Sequence, residues 1–421
     1  MKRSILLAAF AAINLGVTFS FQLYVLAVLG PGEQTDALFA GMALPQVVLT
    51  IVSGSLMHVL VPLLSGESIS KLRANAWSFF ALVGISFAGL AAILYIMAPW
   101  WVPILVPGFS KVGIDLTVEL TRIQLIGMVF TAINGVQWAA YHAQNKFIWA
   151  EMSSVICSAI SLAILLITLP KYGVVGAAWL ITVRMALQTI LLIPGMGSPS
   201  KPNFRSSSTL IAWRRIKPLL YGTAYYKTEP LIDRYILSTA TSGGLSLYYL
   251  SQQIYAAANQ IINKAIAAPF VPQMSAYHKA SNFYQLRKEY YQRILFVALI
   301  SFCSIVLLAT VGDKILAALL NHSSFDISRV RELWQIMLWL SGAFIGGGIA
   351  QITSTAFYAC GDTVTPTRLS IITYTIYIPS KFIGYSVAGI YGLALTTSAY
   401  YIINLVVQLI ILNIKLAKSE L

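Results

Sequence analysis

The chain has 421 residues, 58% of them hydrophobic and only 10% charged, with a formal net charge of +14 and a mean hydropathy of +0.76. Soluble globular chains carry about 25% charged residues, so this one cannot coat a water-facing surface of its size. A soluble enzyme, a disordered chain and a nucleic-acid-binding domain are thereby excluded, and the excess of base reads as membrane topology.

A helix crosses the hydrocarbon core with about 20 apolar residues. Twelve segments reach that length: 5–29, 37–65, 75–98, 118–143, 148–169, 173–194, 217–240, 245–275, 290–312, 333–359, 366–386 and 390–414. They are too long and too continuously apolar to be barrel strands of about 10 residues. The first follows directly on Met1-Lys2-Arg3 without a small-residue cleavage site, so it reads as a span rather than a leader. Gly30-Pro31-Gly32 forms the next turn, and Asp36 reads as the N-cap of the second span. Spans two and eight are longer than a bilayer needs, and are expected to tilt or project. The stretch 195–216, rich in Gly, Pro, Ser and base, is a linker between an N-terminal six-helix lobe, 1–194, and a C-terminal one, 217–421. Of 28 lysines and arginines, seventeen fall on the side of the N-terminus, six on the other and five within spans. The positive-inside rule then places both termini in the cytoplasm.

The two lobes resemble each other. Gln22-Leu-Tyr24 ahead of Gly32 matches Asp233-Arg-Tyr235 ahead of Gly243, Val61-Pro62 matches Val271-Pro272, and Ala-Ala-Tyr141 matches Ala-Phe-Tyr358. Tyr172-Gly-Val-Val-Gly-Ala-Ala178 matches Ala388-Gly-Ile-Tyr-Gly-Leu-Ala394. Six helices per lobe is an even number, so the repeats share one orientation. Parallel halves are a transporter architecture, with the substrate site near the midplane between them. The fold class is therefore an all-α membrane protein of twelve helices in two pseudo-symmetric lobes around a central cavity.

Charges inside spans are costly and face a cavity or a partner. Span seven carries Lys227, Glu229, Asp233 and Arg234 around Pro230. Lys227 and Arg234, seven apart, share one helix face, and Glu229 and Asp233, four apart, share another. Pro230 interrupts the hydrogen-bond ladder and suggests a hinge. Two readings stand: an ion-pair cluster that holds the helix in place, or a cationic site for an anionic substrate tuned by the two carboxylates. Lys264 of span eight lies at a depth similar to Lys227. It either joins Lys227 on a phosphate or pyrophosphate or pairs with Glu229 or Asp233. Lys381 reads as a residue snorkelling to the outer face, and Arg184 as structural or cavity-lining. The four histidines are scattered and the three cysteines far apart, so neither a metal set nor a disulfide is indicated. No phosphate-binding Gly-rich loop and no Ser/His/Asp set is present, so nucleotide-driven transport and catalysis are not expected.

The stretch Gly30-Pro-Gly-Glu-Gln-Thr35-Asp36-Ala-Leu-Phe39, then Leu44-Pro45 and Val61-Pro62, resembles the MviN/MurJ lipid II flippases. So do Pro107-Gly108-Phe109, Asp233-Arg234, Ser242-Gly-Gly244 and the Pro272-x-Met-Ser275 ending of span eight. The resemblance extends to the wider superfamily of multidrug, oligosaccharidyl-lipid and polysaccharide exporters, and the length is similar to that of the Wzx-type O-antigen flippases. It implies two six-helix lobes, alternating access and a lipid-linked substrate. Where the family carries arginines and an aspartate in its first helix, this chain has Leu15, Phe21 and Gln22, where the family has a pair of arginines in its second helix this chain has Leu49 and Thr50, an arginine of the family's eighth helix falls near Gln252, and the family's two further C-terminal helices are not in it. The positive charge for a pyrophosphate then falls to Lys227, Arg234 and Lys264.

The expected function is a flippase for an undecaprenyl-pyrophosphate-linked oligosaccharide or cell-wall precursor in the bacterial cytoplasmic membrane. The substrate residues are Lys227, Arg234, Lys264, Gln22 and Gln252, and the coupling or gating residues Glu229, Asp233 and Pro230. No cofactor and no nucleic acid is expected. The expected partners are the lipid-linked glycan, membrane lipids and a proton or monovalent cation, and the expected state is a monomer. The alternatives are a cation-coupled multidrug or metabolite antiporter of the same superfamily, with Glu229 or Asp233 protonatable, and a scaffold that moves nothing.

Overall fold

The computed structural model describes residues 2–320, 325–362 and 364–419. Among them are fourteen α-helices. The chain divides into two compact units, Met1–Leu245 and Ser246–Leu421.

In the first unit, α1 (Lys2–Leu29), α4 (Ile69–Leu105) and α5 (Lys111–Ala143) are continuous helices. The span expected at 37–65 is two helices, α2 (Glu33–Gly41) and α3 (Ala43–Leu64), that meet at Met42. α6 (Phe147–Met196) has 50 residues, about 75 Å at 1.5 Å per residue, more than twice the hydrocarbon thickness of about 30 Å. It is two spans. Gly173 leaves helical geometry at φ 54°, ψ −145°, and the arms fold back on each other: Gln188 Nε2 donates to Ser154 Oγ at 2.6 Å and Ser161 Oγ to Leu180 O at 3.3 Å. The stretch expected as a linker is helical from Ser207. Ser206 caps α7 (Ser207–Ala224) by accepting the Thr209 N–H. α7 buries Thr209, Ala212 and Ile216 and exposes Trp213, Arg214 and Arg215. The unit's core joins α3, α4, α5 and α7 through Leu60, Leu64, Ala76, Phe79, Leu125, Val136, Ala212 and Ile216.

Span seven continues through a 3₁₀ turn (Tyr226–Thr228) into α8 (Glu229–Leu237). α9 (Gly244–Ile262) begins at the junction of the two units. In the second unit a π turn (Asn263–Ala267) leads to α10 (Ala268–Lys279), so the length of span eight belongs to two helices. α11 (Phe283–Leu320) is continuous, and α12 (Ile327–Trp339) and α13 (Ser341–Ala359) meet at 44°. α14 (Val364–Ser419) is again a hairpin. It breaks at Ala388–Gly389, and Tyr377 OH donates to Thr397 Oγ1 at 2.8 Å and Asn404 Nδ2 to Thr373 Oγ1 at 2.7 Å across it. With both hairpins counted as pairs and broken helices as single spans, the twelve expected segments are all accounted for.

The repeat is visible in the backbone. Gly389 has φ 58°, ψ −139°, close to Gly173. The turns after α5 and α13 carry the same bonds: Lys146 N–H to Tyr141 O and Asp362 N–H to Phe357 O, both 2.9 Å, around left-handed Asn145 and Gly361. This pairs Tyr141 with Phe357, one residue from the Tyr141–Tyr358 match read in the sequence.

Exposed Ile85, Ile93, Ile96 and Trp100 line α4, and Leu295, Leu299, Phe302 and Val306 line α11. Such continuous apolar faces are tolerated against acyl chains and not in water. The chain is a multi-pass membrane protein.

Candidate substrate site

The motif residues converge where α1, α4 and α8 end. Thr35 Oγ1 accepts the Gly32 N–H at 2.9 Å and donates to Gly30 O at 3.1 Å. α2 therefore opens at Glu33, and Asp36 is not the cap expected of it. Instead Asp36 is 3% exposed, and its Oδ2 accepts the Gly243 N–H at 2.7 Å. Gly243 has φ 89°, and a Cβ there would lie 2.6 Å from Pro31 O, so only glycine fits. Gly108 donates its N–H to Ser238 Oγ at 3.2 Å, and a Cβ at this position would collide with the Ser238 carbonyl. Ser110 caps α5 and donates to Glu33 Oε1. The turns α1–α2, α4–α5 and α8–α9 are thus tied into one knot. A buried carboxylate on a backbone N–H contributes about 1.5–3 kcal/mol.

In span seven the helix break lies at residues 225–228, ahead of Pro230. Pro230 sits in the first turn of α8, where its missing N–H goes unneeded. The same lack bars a continuous helix, which would need that N–H on Tyr226 O. The 3₁₀ turn also shifts the register, and the face expected to hold both Lys227 and Arg234 divides. Lys227 is half-buried, with Nζ 6.0 Å from the Tyr226 ring centroid. Arg234 is 2% exposed and its Nε donates to Phe39 O at 3.4 Å. Asp233 is buried beside it, whereas Glu229, Pro230 and Gln22 are half-buried. In the second unit Gln252 is half-buried on α9, and Lys264 is exposed in the π turn. Lys264 is therefore exposed and Lys227 half-buried, while Arg234 is packed against α2.

Two further cations stand out. Lys381 does not snorkel. It is 1% exposed, with Nζ 4.4 Å above the Tyr377 ring, and Tyr377 stacks on Tyr400 at 4.1 Å. The spacing Tyr374, Tyr377, Lys381 puts these side chains on one helix face, which is the signal in the sequence for this interior. In the first unit Arg184 Nη1 donates to Thr18 Oγ1 at 3.2 Å and Ser158 Oγ at 3.4 Å.

Comparison with known proteins agrees with this architecture. The chain is 21% identical over 392 residues to the lipid II flippase MurJ of Burkholderia cenocepacia, covering 87% of this chain and 75% of the relative. It is 22% identical over 371 residues to the probable lipid II flippase MurJ of Rickettsia prowazekii, covering 84% and 72%. Among solved structures, lipid II flippase MurJ in an inward closed conformation matches with a TM-score of 0.83 at 18% identity, over 96% of this chain and 86% of that one. An inward-facing multidrug resistance MATE transporter of the MOP superfamily matches with a TM-score of 0.80 at 15% identity, over 97% and 95%. These structural likenesses show the fold. The model of the family described as lipid II flippase MurJ matches residues 25–420, and the chain belongs to that family.

Proposed function

We propose that this protein moves a lipid-linked cell-wall or surface-glycan precursor, carried on a polyprenyl pyrophosphate, across the bacterial inner membrane by alternating access. The observation that carries the reading is the family match over residues 25–420. The exposed Lys264 and the half-buried Lys227 support it by supplying cations that suit phosphate oxygens. Gln22 and Gln252 add neutral hydrogen-bonding groups for the head group. Asp233 and Arg234 act as positioning residues that hold α8 against α2, and Glu229 tunes the charge beside Lys227. Pro230 preserves the break between α7 and α8 that lets α8 pivot. Both termini lie in the cytoplasm, following the distribution of base.

The test uses purified protein in liposomes containing a fluorescent polyprenyl-pyrophosphate oligosaccharide, with head-group transfer read by quenching from outside. Protein-dependent transfer supports the proposal. No transfer of that lipid or of lipid II, together with uptake of cationic drugs, would favour the antiporter reading instead.

A further inference from the structure

The first unit carries an open groove of about 460 Å³ between α4 and α5 that the proposed transport does not use. Ala88, Ala92 and Tyr95 line it from α4, and Ile126, Val129 and Phe130 from α5. Ala92, Tyr95 and Ile126 are exposed, so the groove opens to the surrounding acyl chains. Its α4 wall runs from residue 88 to residue 96, about 12 Å along the helix. That is most of one leaflet of a hydrocarbon core about 30 Å thick.

A cation closes one end of the groove. Arg122 lies one helical turn beyond Ile126, beside the end marked by Tyr95. Its Nε donates to Tyr95 O at 3.2 Å, and its guanidinium carbon lies 4.9 Å from the Tyr95 ring centroid. Among the described residues its two terminal nitrogens donate to none, and the ion pairs lie elsewhere. Arg122 is half-buried. It is four residues from the start of the apolar segment 118–143, and Tyr95 is three from the end of 75–98. Both therefore lie within about 6 Å of the hydrocarbon edge, within reach of a lipid phosphate. Trp100, five residues further out, is exposed, as tryptophans at the interface are.

The charges beyond Arg122 are acids. Glu119 and Asp115 are both exposed on α5. Spacings of seven put Glu119 in line with Ile126, and Asp115 in line with Arg122 and Val129. Glu119 lies about 4.5 Å along the axis from Arg122, and Lys111 about 16 Å, too far to share one head group with it. α4 has no charged residue after Arg73. From the groove outward the stripe therefore reads apolar, cationic, anionic. A phospholipid with an ethanolamine head group presents the complementary order: acyl chain, phosphate, ammonium.

We propose that this groove is a binding site for one phosphatidylethanolamine, with an acyl chain between α4 and α5, the phosphate on Arg122 and the ammonium on Glu119. A head group without an ammonium meets two carboxylates beyond the arginine and is disfavoured. With both termini in the cytoplasm the lipid belongs to the outer leaflet, but binding itself does not depend on that assignment.

The experiment titrates the delipidated full chain in non-ionic detergent with phosphatidylethanolamine or phosphatidylglycerol of identical acyl chains, and counts bound lipid by native mass spectrometry. The first phosphatidylethanolamine is expected to bind about ten-fold tighter than the first phosphatidylglycerol, and Arg122→Gln to weaken it about ten-fold, the worth of one charge-assisted hydrogen bond. Glu119→Gln is expected to bring the two lipids to equal affinity. Should Arg122→Gln fail to fold, Ala92→Trp fills the groove from an exposed position and is expected to remove the first bound lipid. Wild-type binding of phosphatidylethanolamine by Arg122→Gln or Ala92→Trp would overturn the site. Equal affinity of the unaltered protein for both lipids, or a preference for phosphatidylglycerol, would overturn the head-group assignment.

Discussion

Asp36 and Gly243 lie 207 residues apart and depend on each other's chemistry. Asp36→Ala leaves the buried Gly243 N–H without its acceptor, and an orphaned buried donor costs about 1–3 kcal/mol. A lower Tm in nanodiscs is expected, and an unchanged one would refute the contact. Gly243→Ala should be worse than an ordinary Gly→Ala change, because the new Cβ meets the Pro31 backbone, which cannot swing aside. A second residue-scale prediction concerns pH. Burial raises the Asp362 pKa, but hydrogen bonds from Lys415 and Thr365 outweigh it and bring the carboxyl to about 2. Lys415 Nζ lies 2.6 Å from Asp362 Oδ2. The folded value is below the ordinary 3.8, so the stabilisation is present above about pH 4 and is lost as pH falls through 2. Hydrogen exchange near Lys415, corrected for intrinsic rate, should be constant from pH 7 to 4 and rise below 3. A rise between pH 6 and 4 would contradict this.

At the level of elements, the hairpins of α6 and α14 were legible. Tyr172-Gly173 and Ala388-Gly389 interrupt apolar runs far too long for one span, and the same left-handed turn occurs at both. Alanine at Gly173 or Gly389 should cost about 1–2 kcal/mol each, the penalty of φ > 0 for a residue with a Cβ, seen as paired losses in Tm. Span seven was less legible. Its charges and proline were evident, but a hydropathy window does not distinguish a kinked helix from α7, a 3₁₀ turn and α8. The register shift at Tyr226–Thr228 is a local backbone event, and it decides that Arg234 is buried while Lys227 is half-buried. Lys381 misled for a related reason: depth along a span suggests snorkelling, but the side chain points into a tyrosine-lined interior. Pro230→Ala restores the N–H that a continuous helix needs. It should slow transport several-fold with a Tm within a few degrees of wild type, and an unchanged initial rate would remove Pro230 from the gating machinery.

For the whole molecule, composition sufficed for the membrane and the twelve segments. The knot made by Thr35, Asp36, Gly108 and Gly243 gives the family motifs a physical purpose, since each holds a turn to another turn. The candidate substrate cations rest on different ground. Lys264 is exposed and Lys227 half-buried, and a cation that bonds a phosphate contributes about 1.5–3 kcal/mol, roughly 10- to 150-fold in rate when the contact is made in the transition state. The initial rate of pyrophosphate-lipid transfer by the Lys227→Ala, Lys264→Ala double variant, relative to wild type in the same liposomes, tests this most directly. The expected result is a loss of a hundred-fold or more in a protein whose Tm is retained. Transfer at the wild-type rate by the folded double variant would contradict it.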